Sequence, residues 1–120
     1  MMTDKKGLEK IINYNFKKKE LLEQALTHKS FDNIKNNEKL EFLGDRVLGL
    51  VVSQTLLNKY PFEKEGIIDK KYANLVNKKT CSLIAKKLHL NKFILLGSSH
   101  RKLDSSSDKI ISDCLEALIG

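Results

Sequence analysis

The chain has 120 residues, of which 41% are hydrophobic and 31% charged, and this length suits a single domain spanning residues 1–120 with one core. Its net charge of +7 comes from 20 Lys and 2 Arg, which favours a polyanionic partner through phosphate contacts. No apolar run approaches membrane-spanning length and the N-terminus has no signal-peptide core, so we exclude a membrane protein and expect a cytoplasmic one.

Helix-forming residues dominate the sequence, and there is no sustained alternation of polar and apolar residues that would predict strands. An all-α fold is therefore predicted. In chain order, the predicted helices are 7–14, 17–30, 38–59, 69–78, 80–88 and a last one that begins near residue 108. A polar run, SSHRKLDSSSD (98–108), is predicted to be the loop before the last helix.

The helix boundaries are predicted from capping residues. Asn36 or Asn37 is expected to cap the third helix, and Pro61 to end it, because proline disfavours helical geometry in the preceding residue. Asp69 and Thr80 are the predicted N-caps of the next two helices.

Several side chains are predicted to fill the core rather than to carry chemistry. The two cysteines have no metal-type spacing, and both lie among apolar residues. The aromatic rings are interpreted as core residues rather than as platforms for base stacking. The residues in this group are Cys81, Cys114, Phe42, Phe62 and Phe93.

The third helix is apolar on two faces. One face is predicted to be a core stripe of Leu40, Leu43, Val47, Leu50 and Val51. On the other face, Glu38, Glu41 and Asp45 lie within about 60° of one another, and Leu48, Val52 and Leu56 continue the same direction.

Three acids on one stripe require an explanation. Like charges at helical spacing destabilise a helix, and more so where burial removes water from the charged form. A divalent cation would offset this cost, and carboxylates without nearby His or Cys suit Mg²⁺ or Mn²⁺. The alternative is a solvated acidic helix start, which the helix dipole favours.

The last helix carries a second acidic pair, Asp113 and Glu116, at i and i+3. Alone, this pair would be an exposed polar face opposite Ile111, Cys114, Leu115 and Leu118. Together with the first set, it could enclose one or two metal ions between two helices. Metal-assisted phosphoryl transfer to water is the chemistry such a site serves best, so a basic domain of this kind points to a nuclease.

Four segments resemble the endonuclease domain of the ribonuclease III family. Residues 37–45, NEKLEFLGD, are similar to its NERLEFLGD signature, with Lys in place of Arg. ALTHKS (25–30), EG (65–66) with ANLVN (73–77), and DCLEALIG (113–120) resemble further conserved segments of that family. The resemblance covers nearly the whole chain.

The resemblance implies an all-helical endonuclease fold with an acidic metal site. It assigns metal binding to Glu41, Asp45, Asp113 and Glu116, and places Asp45 and Glu116 nearest the catalytic metal. Glu38 and Glu65 match acids with a supporting role. The implied cofactor is Mg²⁺, with Mn²⁺ as a substitute, and no small-molecule cofactor is expected.

The resemblance also implies a homodimer that cuts both strands of double-stranded RNA, leaving 5′-phosphate and 3′-hydroxyl ends with short 3′ overhangs. Recognition of A-form shape fits a Lys-rich, Arg-poor surface, because bidentate reading of base edges depends mainly on Arg. The family's double-stranded-RNA-binding domain is absent from this sequence, and the last helix is expected to be truncated.

Two other interpretations stay open at the level of sequence. One is a catalytically silent, dimeric module that binds double-stranded RNA. The other is a basic helical protein whose acids are ordinary surface charges.

Overall fold

A computed structural model describes residues 5–98 and 107–120, and this part of the chain is all-α, as predicted. Its helices are α1 (Lys5–Ile12), α2 (Lys19–Ala25), α3 (Glu38–Lys59), α4 (Glu65–Val76), α5 (Lys78–Lys87) and α6 (Asp108–Ile119), with a 3-10 helix at Leu90–Lys92. Among these described helices, none is both long and apolar enough to cross a membrane. Most of the polar run, residues 99–106, lies outside the described residues.

Helix α6 lies at the centre of the fold and packs against α3, α5, α2 and the 3-10 helix. The buried core cluster consists of Leu8, Leu22, Leu26, Cys81, Ala85, Leu90, Ile111, Cys114 and Leu115. Each large aliphatic side chain that folding buries contributes about 1.5–3 kcal/mol. The prediction that both cysteines are core residues is confirmed, and both thiols are free.

Helix α3 has the predicted bounds and α6 begins where predicted, whereas α4 and α5 begin earlier than predicted. Helix α4 starts at Glu65, so the prediction of Asp69 as its N-cap is wrong. Helix α5 is capped by Asn77, whose side-chain oxygen accepts the backbone N–H of Thr80 at 2.8 Å. Thr80 is therefore the third residue inside the helix rather than its cap.

The start of α3 is fixed by two buried asparagines. The N-cap position is Asn37, one of the two predicted residues, but its side chain makes no capping hydrogen bond. The Oδ1 atom of Asn36, one residue earlier, accepts the backbone N–H of Glu38 at 3.1 Å instead. Asn37 donates its backbone N–H to the carbonyl of Thr27 and its side-chain amide to that of Ala25. These bonds tie the first turn of α3 to the end of α2.

The predicted core stripe of α3 is largely wrong. Leu43, Leu50 and Val51 are exposed, and 70% of Leu50 is accessible to solvent. The opposite face, with Leu48 and Leu56, packs inward instead. A helix that is apolar on two faces does not reveal from its own sequence which face meets the core.

Two of the three phenylalanines assigned to the core are also exposed. Phe42 is 59% and Phe62 is 98% accessible, so these predictions are wrong. Phe42 lies on α3 beside the exposed apolar face, and Phe62 follows the proline that comes after α3. Phe93 packs against the core as predicted.

Helices α3 and α6 approach until their backbones touch. A Cβ atom on Gly44 would lie 1.6 Å from the carbonyl oxygen of Glu116, and one on Gly120 would lie 2.2 Å from the carbonyl oxygen of Leu40. Both positions therefore require glycine. This close crossing determines how near the acidic side chains of the two helices can come.

Candidate metal centre

The crossing of α3 and α6 brings together acids that are far apart in sequence. Each of Glu41, Asp113 and Glu116 offers one carboxylate oxygen, and these three atoms lie within 4.8 Å of one another. All three residues are partly buried. Oxygens that share one Mg²⁺ at about 2.1 Å are at most about 4.2 Å apart, so small side-chain movements would allow a common ion.

Asp45 lies one turn after Glu41 and lines the same cleft, which has a volume of about 280 Å³. It is not among the three residues with converging oxygens. Its Oδ2 atom accepts a hydrogen bond from Nη1 of Arg46 at 2.9 Å, and this guanidinium lies 4.1 Å from the ring centroid of the exposed Phe42. Asp45 also forms a side-chain hydrogen bond with Glu116, so the structure places its half-exposed carboxyl between Arg46 and the acidic cluster. Its role in metal binding stays a prediction.

The pKa of Glu116 is raised by burial and by the neighbouring acids. Burial raises the pKa of its carboxyl to about 8, and a hydrogen bond with Asp45 and the negative charges of Asp45, Glu41 and Asp113 act in the same direction. A carboxyl with this pKa holds a proton at neutral pH. Binding of a divalent cation would favour the charged form and release that proton.

The pKa of Glu41 is also raised, although one nearby positive charge acts against the increase. Desolvation raises its pKa, and the charges of Asp113, Asp45 and Glu38 raise it further, whereas the charge of Lys109 lowers it. The carboxylates thus repel one another, as the sequence spacing predicted. A cation between them would relieve this repulsion.

Lys109 supplies one positive charge that was not predicted to belong to the site. Its Nζ atom donates to Oδ2 of Asp113 at 2.7 Å, one helical turn away. The hydrogen bond and the charge of Asp113 raise the pKa of Lys109, followed by the charges of Glu41 and Glu116. The i, i+4 spacing was the signal that could have identified this pair.

The two supporting acids differ in their positions. Glu38 lines a neighbouring cleft of about 230 Å³, and this cleft shares Glu41, Lys109 and Asp113 with the first one. Glu65 is exposed in the first turn of α4 and lines neither cleft. The structure thus places Glu38 beside the acidic cluster, and the supporting role of Glu65 stays a prediction.

The donor set fits a hard divalent cation. The three converging atoms are carboxylate oxygens, which are the ligands that Mg²⁺ and Mn²⁺ prefer. Cys81 also lines the cleft, but desolvation raises the pKa of its thiol, and a neutral thiol is a poor ligand. The arrangement can hold a cation beside a phosphate and position water near it.

Comparison with known proteins finds relatives that all belong to one family. The family described as Ribonuclease-III-like matches residues 18–120. Ribonuclease 3 of Pelagibacter ubique is 55% identical over 120 residues, which cover 100% of this chain and 54% of that protein. Ribonuclease 3 of a Sulfurovum species is 45% identical, and the match covers 99% of this chain and 54% of that protein. The chain thus spans about half the length of the curated relatives it matches.

Solved structures show the same likeness. The crystal structure of the nuclease domain of ribonuclease III from Campylobacter jejuni superimposes with a TM-score of 0.88 at 44% identity, covering 98% of this chain and 80% of that one. A second structure of that nuclease domain, which records structural flexibility in the region involved in dimer formation, gives a TM-score of 0.86 at 45% identity, covering 93% and 79%.

Proposed function

The chain belongs to the ribonuclease-III-like family, and we propose that it is an endoribonuclease domain that hydrolyses phosphodiester bonds of double-stranded RNA with the help of Mg²⁺. The observation that carries this proposal is the convergence of Glu41, Asp113 and Glu116 from two crossing helices. Mn²⁺ is the expected substitute, since it accepts the same oxygen ligands. The products would have 5′-phosphate and 3′-hydroxyl ends, with short 3′ overhangs.

In this proposal, Glu41, Asp113 and Glu116 hold the cation, and Asp45 completes the set when its side chain turns away from Arg46. When bound, the cation neutralises phosphate charge and activates a water molecule. Glu116 would give up its proton on cation binding, because burial and the neighbouring acids raise its pKa and a cation would favour the charged form. Asp45 and Glu116 are the proposed catalytic residues nearest the metal, and Glu38 would support them from the neighbouring cleft.

Double-stranded RNA is the proposed substrate because the charge and the residue types suit it. The chain carries a net charge of +7, almost all of it from lysine, and lysine contacts phosphate without reading base edges. Lys29 and Lys78 line the two clefts beside the acidic cluster. Such a surface favours recognition of A-form shape, with strong dependence on salt.

A homodimer is the proposed assembly. Leu43, Leu50 and Leu57 follow one another at seven-residue spacing and form an exposed apolar seam along α3. Contiguous exposed apolar surface marks protein interfaces, and the seven-residue repeat is typical of helices that pack together. Two copies joined by this seam would present two acidic sites, one for each RNA strand.

We also propose a cellular location and the bounds of the domain. We propose a cytoplasmic protein whose residues 1–120 form one endonuclease domain, with no small-molecule cofactor. These remain predictions.

The test uses a long RNA duplex with Mg²⁺ or EDTA, and it compares the wild-type chain with Glu116→Gln and with Glu63→Gln. Glu63 is an exposed acid that lines neither cleft, so its variant controls for the loss of one negative charge. Metal-dependent cutting that Glu116→Gln loses and Glu63→Gln keeps would support the enzyme. Duplex binding without cutting in every condition would favour the silent module, and neither binding nor cutting would favour ordinary surface acids.

A further inference from the structure

We propose that Lys109 is a built-in counter-ion that competes with the divalent cation for Asp113 and thereby sets the cation concentration at which the site fills. This inference rests on the proposed function, because it concerns the same acidic cluster. It assigns a role to a residue outside the set of acids that the family resemblance implies.

The geometry supports competition. The ammonium group of Lys109 donates to Oδ2 of Asp113 at 2.7 Å, and Asp113 is one of the three residues whose oxygens converge. Lys109 lines both clefts that border the cluster, so its charge acts on the whole site. While this contact persists, Lys109 occupies one carboxylate oxygen of Asp113. Its positive charge also repels a divalent cation that approaches the cluster.

The position of Lys109 within its helix points to the same conclusion. Lys109 is the second residue of α6, where the partial positive charge of the helix N-terminus disfavours a cation. Its pairing with Asp113 also runs from base to acid along the chain, which is the less favourable direction for an i, i+4 pair. Local helix energetics therefore do not explain a lysine here, whereas the acidic cluster does.

Other charged residues near the cluster do not form an ion pair with Asp113, whereas Lys109 does. Asp108, which precedes it, accepts hydrogen bonds from Ser82 and Lys86 instead. Lys78 lines the first cleft, but no ion pair joins it to the acids described there. Among the described residues, Lys109 is the one base that forms an ion pair with any of the three converging carboxylates.

The side chains can exchange partners easily. The side chain of Lys109 is 68% exposed, whereas that of Asp113 is 21% exposed. When a cation binds, the ammonium can therefore move into water while the carboxylate stays in place. Asp113 would thus pair either with the ammonium group of Lys109 or with a divalent cation from solution.

The test measures Mn²⁺ affinity by calorimetric titration at fixed pH and ionic strength, without RNA. It compares the wild-type chain with Lys109→Met, Lys109→Arg and Lys78→Met. Lys78→Met removes the same charge from the same cleft without breaking an ion pair, so it controls for long-range electrostatics. Lys109→Arg retains the charge and the spacing.

We expect Lys109→Met to bind Mn²⁺ roughly two- to fivefold more tightly than Lys78→Met, the ratio that corresponds to the typical strength of an exposed ion pair. Lys109→Arg should bind like the wild type. Equal affinities for the two methionine variants, or weaker binding by Lys109→Met, would overturn the inference and leave the cation site intact. Absence of Mn²⁺ binding in every variant would overturn the proposed cation site itself, and the inference with it.

Discussion

Gly44 of α3 and Glu116 of α6 meet through their backbones, since a Cβ on the glycine would lie 1.6 Å from the glutamate's carbonyl oxygen. The residue whose main chain makes this contact also carries one of the converging carboxylates. Glu41, one turn before Gly44, supplies another. The packing of the two helices and the geometry of the acidic site therefore depend on one contact.

A methyl group at position 44 should separate the two helices. Gly44→Ala is expected to lower the free energy of unfolding by about 2–3 kcal/mol, because the clash is with backbone and cannot be relieved by a rotamer change. It should also weaken Mn²⁺ binding, since the carboxylates of α3 and α6 move apart. Urea unfolding and calorimetric titration measure the two effects.

Gly66→Ala is the matched control. No atom lies within 4 Å of a Cβ built on Gly66, which is exposed in α4. Alanine should stabilise this helix by up to about 1 kcal/mol. Equal effects of the two substitutions would show that the α3–α6 contact does not constrain residue 44.

Sequence alone predicted α3 and α6 well, because both are long and carry strong helical periodicity with clear stops such as Pro61. From the spacing of the carboxylates it also selected five acids, and three of these have converging oxygens in the structure. The five acids are Glu38, Glu41, Asp45, Asp113 and Glu116. It failed on α4, where it chose Asp69 as the N-cap although the helix begins four residues earlier. N-cap propensity is a local preference that loop geometry can override.

Two features of the site depend on tertiary structure and could not be predicted. The apolar stripe of α3 fitted either a core or an interface, and only the placement of α6 and α4 shows that Leu50 faces outward. Asp45 contacts both Arg46 and Glu116, and sequence spacing does not specify which of these two contacts its side chain makes. Periodicity identifies a face, but it does not identify the partner of that face.

The exposed seam of α3 gives a test of assembly. Leu50→Glu is expected to weaken dimerisation at least about tenfold, because each copy would place a charge where it otherwise buries an aliphatic side chain. Sedimentation over a range of concentrations measures the dissociation constant. Leu83→Glu makes the same change at an exposed leucine of α5 and should leave assembly unchanged. A Leu50→Glu chain that dimerises like the wild type would exclude this seam as the interface.

A buried carboxylate that pairs with a half-exposed lysine should make the fold sensitive to acid. The carboxylate of Glu9 is buried and accepts hydrogen bonds from Nζ of Lys19 and from the backbone of Phe16, and these bonds lower its pKa below the ordinary 4.5. Its contribution to stability is therefore present above pH 4.5 and is lost as the pH falls through the lowered value. Glu9→Gln should be less stable than the wild type at pH 7, with the two melting temperatures converging well below pH 4.5. Parallel curves at all pH values would contradict this assignment.

Glu116 should produce the opposite pH dependence when divalent cations are removed. Its pKa is raised from 4.5 to about 8 in the folded state, so its contribution is fully present below pH 4.5 and is lost as the pH rises towards 8. In EDTA, the melting temperature of the wild type should fall over this range more than that of Glu116→Gln. Mg²⁺ at pH 8 should restore the stability of the wild type but not that of the variant. A wild-type curve that matches the variant's in EDTA would show that Glu116 does not titrate in this way.

The most direct measurement is an anomalous difference map from a crystal of this chain soaked in Mn²⁺. We predict a peak between α3 and α6 at about 2.1–2.2 Å from carboxylate oxygens of Glu41, Asp113 and Glu116, with Lys109 displaced from Asp113. A fully soaked crystal whose peaks all lie elsewhere, or in which these three carboxylates point apart, would contradict the assignment of a shared cation site.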